Sequence, residues 1–142
     1  MRPYLPICLM MFCVASLWGA VPALAAPPPD HRVVAMYFHR SQRCPTCKKI
    51  SAYSEEAIQS GFAAELGAGQ IAFHLIDFQD RKNARFTQSY RITGPTLVLA
   101  DVKGGKVTQW KPLPKVWSLV GNKDAFFQYV QRAVRDYLEG KK

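Results

Sequence analysis

The chain has 142 residues, is 49% apolar and 12% aromatic, and carries a formal charge of +9. That length holds one domain, and the apolar content excludes a disordered chain. The excess of Lys and Arg suits anionic partners or membrane surfaces, but the basic residues are scattered and not interleaved with stacking aromatics, which argues against nucleic acid.

The front end reads as a secretory signal. Arg2 is a short positive region, Tyr4 to Trp18 (YLPICLMMFCVASLW) is apolar, and Ala23-Leu24-Ala25 is a small-x-small triplet. Cleavage is expected after Ala25 or Ala26, giving an exported, periplasmic protein with residues 1–25 removed. The alternative is an uncleaved anchor. The apolar run is shorter than the roughly 20 residues a spanning helix needs, and Pro6 and Pro22 interrupt its flanks. Cleavage removes Cys8 and Cys13, so Cys44 and Cys47 remain as the only cysteines, and the charge falls to about +8 with Arg2.

Residues 26–31 (APPPDH) form a proline-rich linker, and the domain is expected over residues 32–140. Val33 to Phe38 (VVAMYF) reads as a buried strand, being too short and too β-branched for a helix. His39 to Arg43 is a polar loop. A helix starts at Pro45, because a first helical turn tolerates the missing N–H. Its apolar face is Ile50, Tyr53, Ala57, Ile58, Phe62 and Leu66, and Gly67 and Gly69 end it.

Ile71 to Phe78 is a second strand, and Gln79 to Tyr90 a polar surface helix. Arg91 to Pro95 turns into a third strand, Thr96 to Val102. Paired Gly104 and Gly105 supply a hairpin turn into Val107 to Trp110. Lys111 to Val120, with Pro112 and Pro114, reads as irregular. Asn122 caps a last helix, Lys123 to Leu138, with Phe126, Phe127, Val130, Val134, Tyr137 and Leu138 on its apolar face and Asp124 in its first turn. The order β-α-β-α-β-β-α predicts an α/β fold, a central mixed sheet in which a parallel βαβ half is joined to an antiparallel hairpin, with helices on both faces. This is the connectivity of the thioredoxin fold.

The chemistry concentrates in RCPTCKK, Arg43 to Lys49. Cys44 ends a strand-to-helix loop and Cys47 falls in the helix's first turn. A helix N-terminus carries unpaired N–H groups and partial positive charge, which favours a thiolate. Arg40, Arg43, Lys48 and Lys49 push the same way, with Arg43 and Lys48 flanking the motif as thiolate-stabilising residues. Cys44 is then the attacking thiol, and the shielded Cys47 the resolving thiol that closes the disulfide. As a staple the pair would do little, since so short a loop removes little unfolded-state entropy. Metal handling stays open: two thiolates hold Cu(I) or an arsenic(III) species, or form half a zinc site. His31, His39 and His74 are too dispersed to complete one. A third reading is an adaptor whose cysteines are dispensable.

CPTC, then ITGPT followed by LVLADVKGGKV, resembles a thioredoxin-like domain from the first strand to the last helix. In that family a cis-proline at the junction of Gly94, Pro95 and Thr96 faces the cysteine pair and docks the substrate chain. The isomer of Pro95 stays open here, since a trans proline also starts an edge strand. YFHRSQRCPTCKKI with WKPLPKVWSLVGNKDAFFQYVQRAVRDYLE resembles, more narrowly, a small exported thioredoxin-like family labelled as a subunit of a nitrophenyl-compound nitroreductase. That resemblance implies electron supply to the reduction of nitroaromatic or arsenical compounds. Three departures from ordinary thioredoxins stand out: Arg43 where tryptophan is usual, no buried aspartate in VVAMYF, and Pro-Thr inside the motif.

No glycine-rich phosphate loop is present, so neither flavin nor nicotinamide is expected. The redox group is the Cys44–Cys47 disulfide itself. Tyr37, Tyr53, Trp110 and Trp117 read as core or rim packing. The expected partner is a protein thiol or disulfide, with a membrane electron donor if the chain works as a reductant, and the protein is expected to be a monomer.

Overall fold

Among the described residues, four strands form one sheet in the order β2-β1-β3-β4. They are β1 (His31–His39), β2 (Ile71–Asp77), β3 (Thr96–Lys103) and β4 (Lys106–Pro112). The computed structural model describes residues 27–141, so the expected signal segment lies outside the described residues. β1 runs parallel to β2 and antiparallel to β3, and β3 pairs antiparallel with β4. Being central, β1 has partners along its whole length. That is why it extends beyond its apolar run, with His31 opposite Lys103 and His39 opposite Asp77. It therefore begins inside the expected linker, and Asp30 O accepts a hydrogen bond from Gly104 N.

The edges behave differently from their sequence pattern. β2 looks fully buried, yet His74 and Leu75 are exposed because, among the described residues, no strand lies beyond it. β4 is the other edge and runs on to Pro112, where a missing N–H costs no ladder bond. Gly104 and Gly105 both have positive φ (56° and 73°), as the two-residue hairpin requires.

The helix predicted as continuous to Leu66 is two. α1 (Pro45–Gly61) stops at Phe62 (φ −146°, ψ 40°), and α2 (Ala63–Gly67) starts anew. A glycine and a tertiary contact coincide at the break. Gln131, from the last helix, packs against Gly61 so closely that a Cβ there would lie 2.7 Å from its Nε2. The same amide donates to Ala57 O at 2.9 Å. The break turns Phe62 into the core, where it is 3% exposed.

The polar segment after β2 also condenses less than its pattern suggests, into a 3-10 turn (Arg81–Asn83) and α3 (Ala84–Ser89). Within the region expected to be irregular, α4 (Val116–Leu119) forms one turn that seats Val116 in the core. α5 (Lys123–Leu138) is capped by Asn122, whose Oδ1 accepts from Ala125 N at 3.1 Å.

The main core lies between one face of the sheet and α1, α4 and α5. Tyr37, Leu97 and Leu99 meet Ile50, Ile58, Phe126, Val130 and Val134 there. A smaller cluster on the other face joins Met36, Phe38, Val98 and Ala100 to Tyr90, with Trp110 edge-on to Tyr90. Cover on that face is thin, and Leu75, Phe86 and Val107 remain exposed along a groove.

Candidate active site: the Cys44–Cys47 pair

β1 ends at His39 and delivers the chain to α1 through a five-residue excursion that leaves Ser41 and Gln42 in solvent. Cys44 is the N-cap of α1, in an extended conformation (φ −69°, ψ 160°), and Pro45 opens the helix. Its Sγ accepts from the Cys47 N–H at 3.1 Å, and its carbonyl from Lys48 N at 3.0 Å. A cap normally uses an Asp, Asn or Ser oxygen for this. Here sulfur holds the position, so the Cys47 N–H of the first turn is directed at the Cys44 sulfur. No acidic residue lies in that turn to oppose a thiolate.

Cys44 and Cys47 are bonded to each other, with Cα atoms 5.1 Å apart. Cys44 is exposed and Cys47 only 8% exposed. An incoming sulfur therefore has access to Cys44, while Cys47 begins the buried stripe of α1 that continues through Ile50, Ser51, Ser54, Ala57 and Ile58.

The cations divide. Arg40, Lys48 and Lys49 stand exposed. Arg43 turns inward: its Nη2 donates to Ser51 Oγ, which donates to Lys48 O at 3.0 Å. Arg43 is thus half-buried, with one guanidinium N–H taken by Ser51. Beside it lies Tyr37, wholly buried in β1. Burial pushes the Tyr37 phenol pKa up, against the opposing charge of Arg43.

Gly94, Pro95 and Thr96 come to the same end of the sheet, because Thr96 pairs with Phe38 near the end of β1. The Gly94–Pro95 bond is trans, as are all peptide bonds among the described residues. Thr96 Oγ1 donates to Gly94 O at 2.9 Å, and Trp117 Nε1 donates to Pro95 O at 3.2 Å. That tryptophan, expected to be packing, is 40% exposed at this junction. No third His, Asp or Glu joins the cysteines as a metal-sized cluster among the described residues.

Sequence reasoning missed Ser51, the inward path of Arg43 and the Trp117–Pro95 contact. The first had a usable signal: a serine four residues after Cys47 falls on the same helical face. The other two depend on side-chain direction, which spacing does not encode.

No family model and no curated protein matches the chain. Similar solved structures include the zinc-bound form of human ERp44, at 20% identity and TM-score 0.48, covering 70% of this chain and 26% of that one. The oxidised thioredoxin from Plasmodium falciparum is 19% identical with TM-score 0.44, covering 72% and 82%. Oxidised thioredoxin O2 from Arabidopsis thaliana is 16% identical with TM-score 0.39, covering 68% and 76%. This chain spans about a quarter of the ERp44 chain. The fold is thioredoxin-like. Its sheet order, its mixed strand directions and its cysteine pair at the start of α1 are the features expected from the sequence.

Proposed function

We propose that the chain is a thiol–disulfide oxidoreductase acting on a protein thiol or disulfide. The observation that carries this is an exposed Cys44 sulfur at a helix N-cap, accepting an N–H and bonded to a buried Cys47. A helix N-terminus lowers a thiol's pKa, and the thiolate is the nucleophile. In the reduced protein, Cys44 attacks a partner disulfide and displaces one partner thiolate. Cys47 then attacks Cys44, closes the disulfide and releases the second. The reverse sequence oxidises a partner dithiol. Gly94, Pro95 and Thr96 form the docking edge for the partner chain, with Arg43 and Lys48 stabilising the thiolate.

The finer reading is an exported protein, cleaved near Ala25, that relays electrons toward the reduction of nitroaromatic or arsenical compounds, with a membrane carrier as donor. It is supported by the apolar N-terminal segment and by the family resemblance of CPTC and the last helix.

Alkylation and intact-mass measurement in defined glutathione buffers test the core claim. Cys44 and Cys47 should interconvert as a pair between dithiol and disulfide. Cys44→Ser should abolish exchange with a partner disulfide, a loss of at least about a thousandfold on removing the nucleophile. Cys47→Ser should trap a mixed disulfide on Cys44. A pair that never interconverts sinks the proposal.

A further inference from the structure

The strand pairing brings four connections to one end of the sheet. Phe38 lies opposite Thr96, His39 opposite Asp77 and Val98 opposite Pro112. Residues 40–44, 78–83, 90–95 and 113–122 therefore open on the end that carries Cys44. They hold Arg40, Arg43, Arg81, Lys82, Arg91 and Lys115, all exposed except the half-buried Arg43. Lys48 and Lys49, exposed in the first turns of α1, add to them. The acids at this end are Asp77, which closes β2, and Asp80, which pairs with Lys82 at 3.0 Å. Away from this end, nine Lys and Arg stand against eight Asp and Glu among residues 27–141. Nearly all of the net positive charge of the described residues is thus gathered at the end that exposes Cys44.

A potential of one sign around a reactive atom speeds encounter with the opposite charge and slows encounter with its own. We infer that the partner presents its reacting cysteine among Asp and Glu side chains, and that this basic end selects it. The inference rests on the oxidoreductase reading and narrows its partner. Two cations flank the docking edge. Arg91 lies three residues before Gly94, and Lys115 two residues before Trp117, whose Nε1 donates to Pro95 O. Trp117 is 40% exposed there and adds an apolar surface beside the charge. An anionic lipid surface also suits basic residues, but it holds no sulfur to exchange, and binding it through this end would cover Cys44. The chemical step stays the sulfur-to-sulfur exchange already described, with the charges acting on encounter.

The test measures second-order rates of the reduced protein with two cyclic disulfide peptides of equal length. One carries Asp and Glu beside its cysteines, the other Lys. Bis(hydroxyethyl) disulfide serves as a neutral substrate, and each peptide's rate with mercaptoethanol corrects for its intrinsic reactivity. At about 20 mM salt the acidic peptide should react at least about tenfold faster than the basic one, and at about 0.5 M salt the two rates should converge. Arg91→Gln combined with Lys115→Gln should slow the acidic peptide about threefold at low salt and leave the neutral disulfide unchanged. An unchanged neutral rate also shows that the variant is folded. Corrected rates within about twofold of each other at low salt, or a faster basic peptide, overturn the inference. Co-sedimentation with vesicles of anionic phospholipid alongside equal peptide rates would assign the charge to a lipid surface and overturn it too. If the neutral disulfide itself is not exchanged, the oxidoreductase reading falls; if it is exchanged and the peptides are not distinguished, only this inference does.

Discussion

Asp101 shows how one residue can be tied into this fold far from the cysteines. It is 2% exposed, lies opposite Val33 near the start of β1, and receives hydrogen bonds from His31 Nε2 (2.7 Å) and Thr108 Oγ1 (2.9 Å), with Lys103 Nζ at 3.5 Å. Burial alone would raise its carboxyl, but the bonds from Thr108 and His31 and the charge of Lys103 outweigh it and hold the pKa below the ordinary value. A depressed carboxylate pKa stabilises the fold above the unfolded value, and that contribution is lost as pH falls through the folded value. Asp101→Asn should therefore cost about 1–3 kcal/mol at neutral pH, the range for disrupting a buried hydrogen-bonded acceptor. Its urea midpoint should also fall less steeply than that of wild type on acidification below about pH 4. Parallel acid profiles for the two proteins would remove Asp101 as the source. The sequence offers a polar residue inside an apolar strand here, but not its partners, of which His31 comes from β1 and Thr108 from β4 while Lys103 lies on its own strand.

Among the elements, α3 ends in an unusual way. Arg91 has φ 52°, the left-handed region, and its N–H bonds Gln88 O while Ile92 N bonds Thr87 O. This is the paired closure that glycine normally provides at a helix end. A left-handed conformation costs an L residue about 1–2 kcal/mol, partly offset on substitution by glycine's greater unfolded-state freedom. Arg91→Gly should raise stability by about 0.5–1 kcal/mol, read as a higher denaturant midpoint at unchanged slope. A loss of stability would mean that the arginine side chain contributes a contact larger than the strain. The termini of α1 and α5 teach the complementary lesson. The Asn122 cap and the start of α1 at Pro45 were legible from sequence, whereas the Cys44 cap and the break at Phe62 were not. Gln131 is 70 positions beyond Gly61, and no local pattern carries that contact.

For the whole molecule, the site depends on how firmly the helical layer holds α1 against the sheet. α5 is the main clamp: Phe126 is fully buried and meets Tyr53 of α1 edge-on at 5.6 Å. Phe126→Ala should destabilise the protein by about 3–5 kcal/mol, a large part of a small domain's total, measured by chemical denaturation. A loss below about 1 kcal/mol would show that the core around it collapses to fill the space.

The sequence by itself determined the order of the four strands and of α1, α3 and α5 among them, the cysteine pair at a strand-to-helix junction, the Gly104-Gly105 hairpin and the apolar face of α5. Each is set by local rules: side-chain period, capping and the conformations a residue type permits. Only the tertiary structure decided that β2 and β4 are the edges, that α1 breaks at Phe62, that Pro95 is trans with its carbonyl taken by Trp117, and that Arg43 turns inward beside Tyr37. These depend on which distant segments meet, and a pattern read along the chain has no term for that. The meaning of RCPTCKK is divided in the same way. Its spacing points to a redox pair, while the exposure of Cys44 and the burial of Cys47 depend on how α1 seats on the sheet.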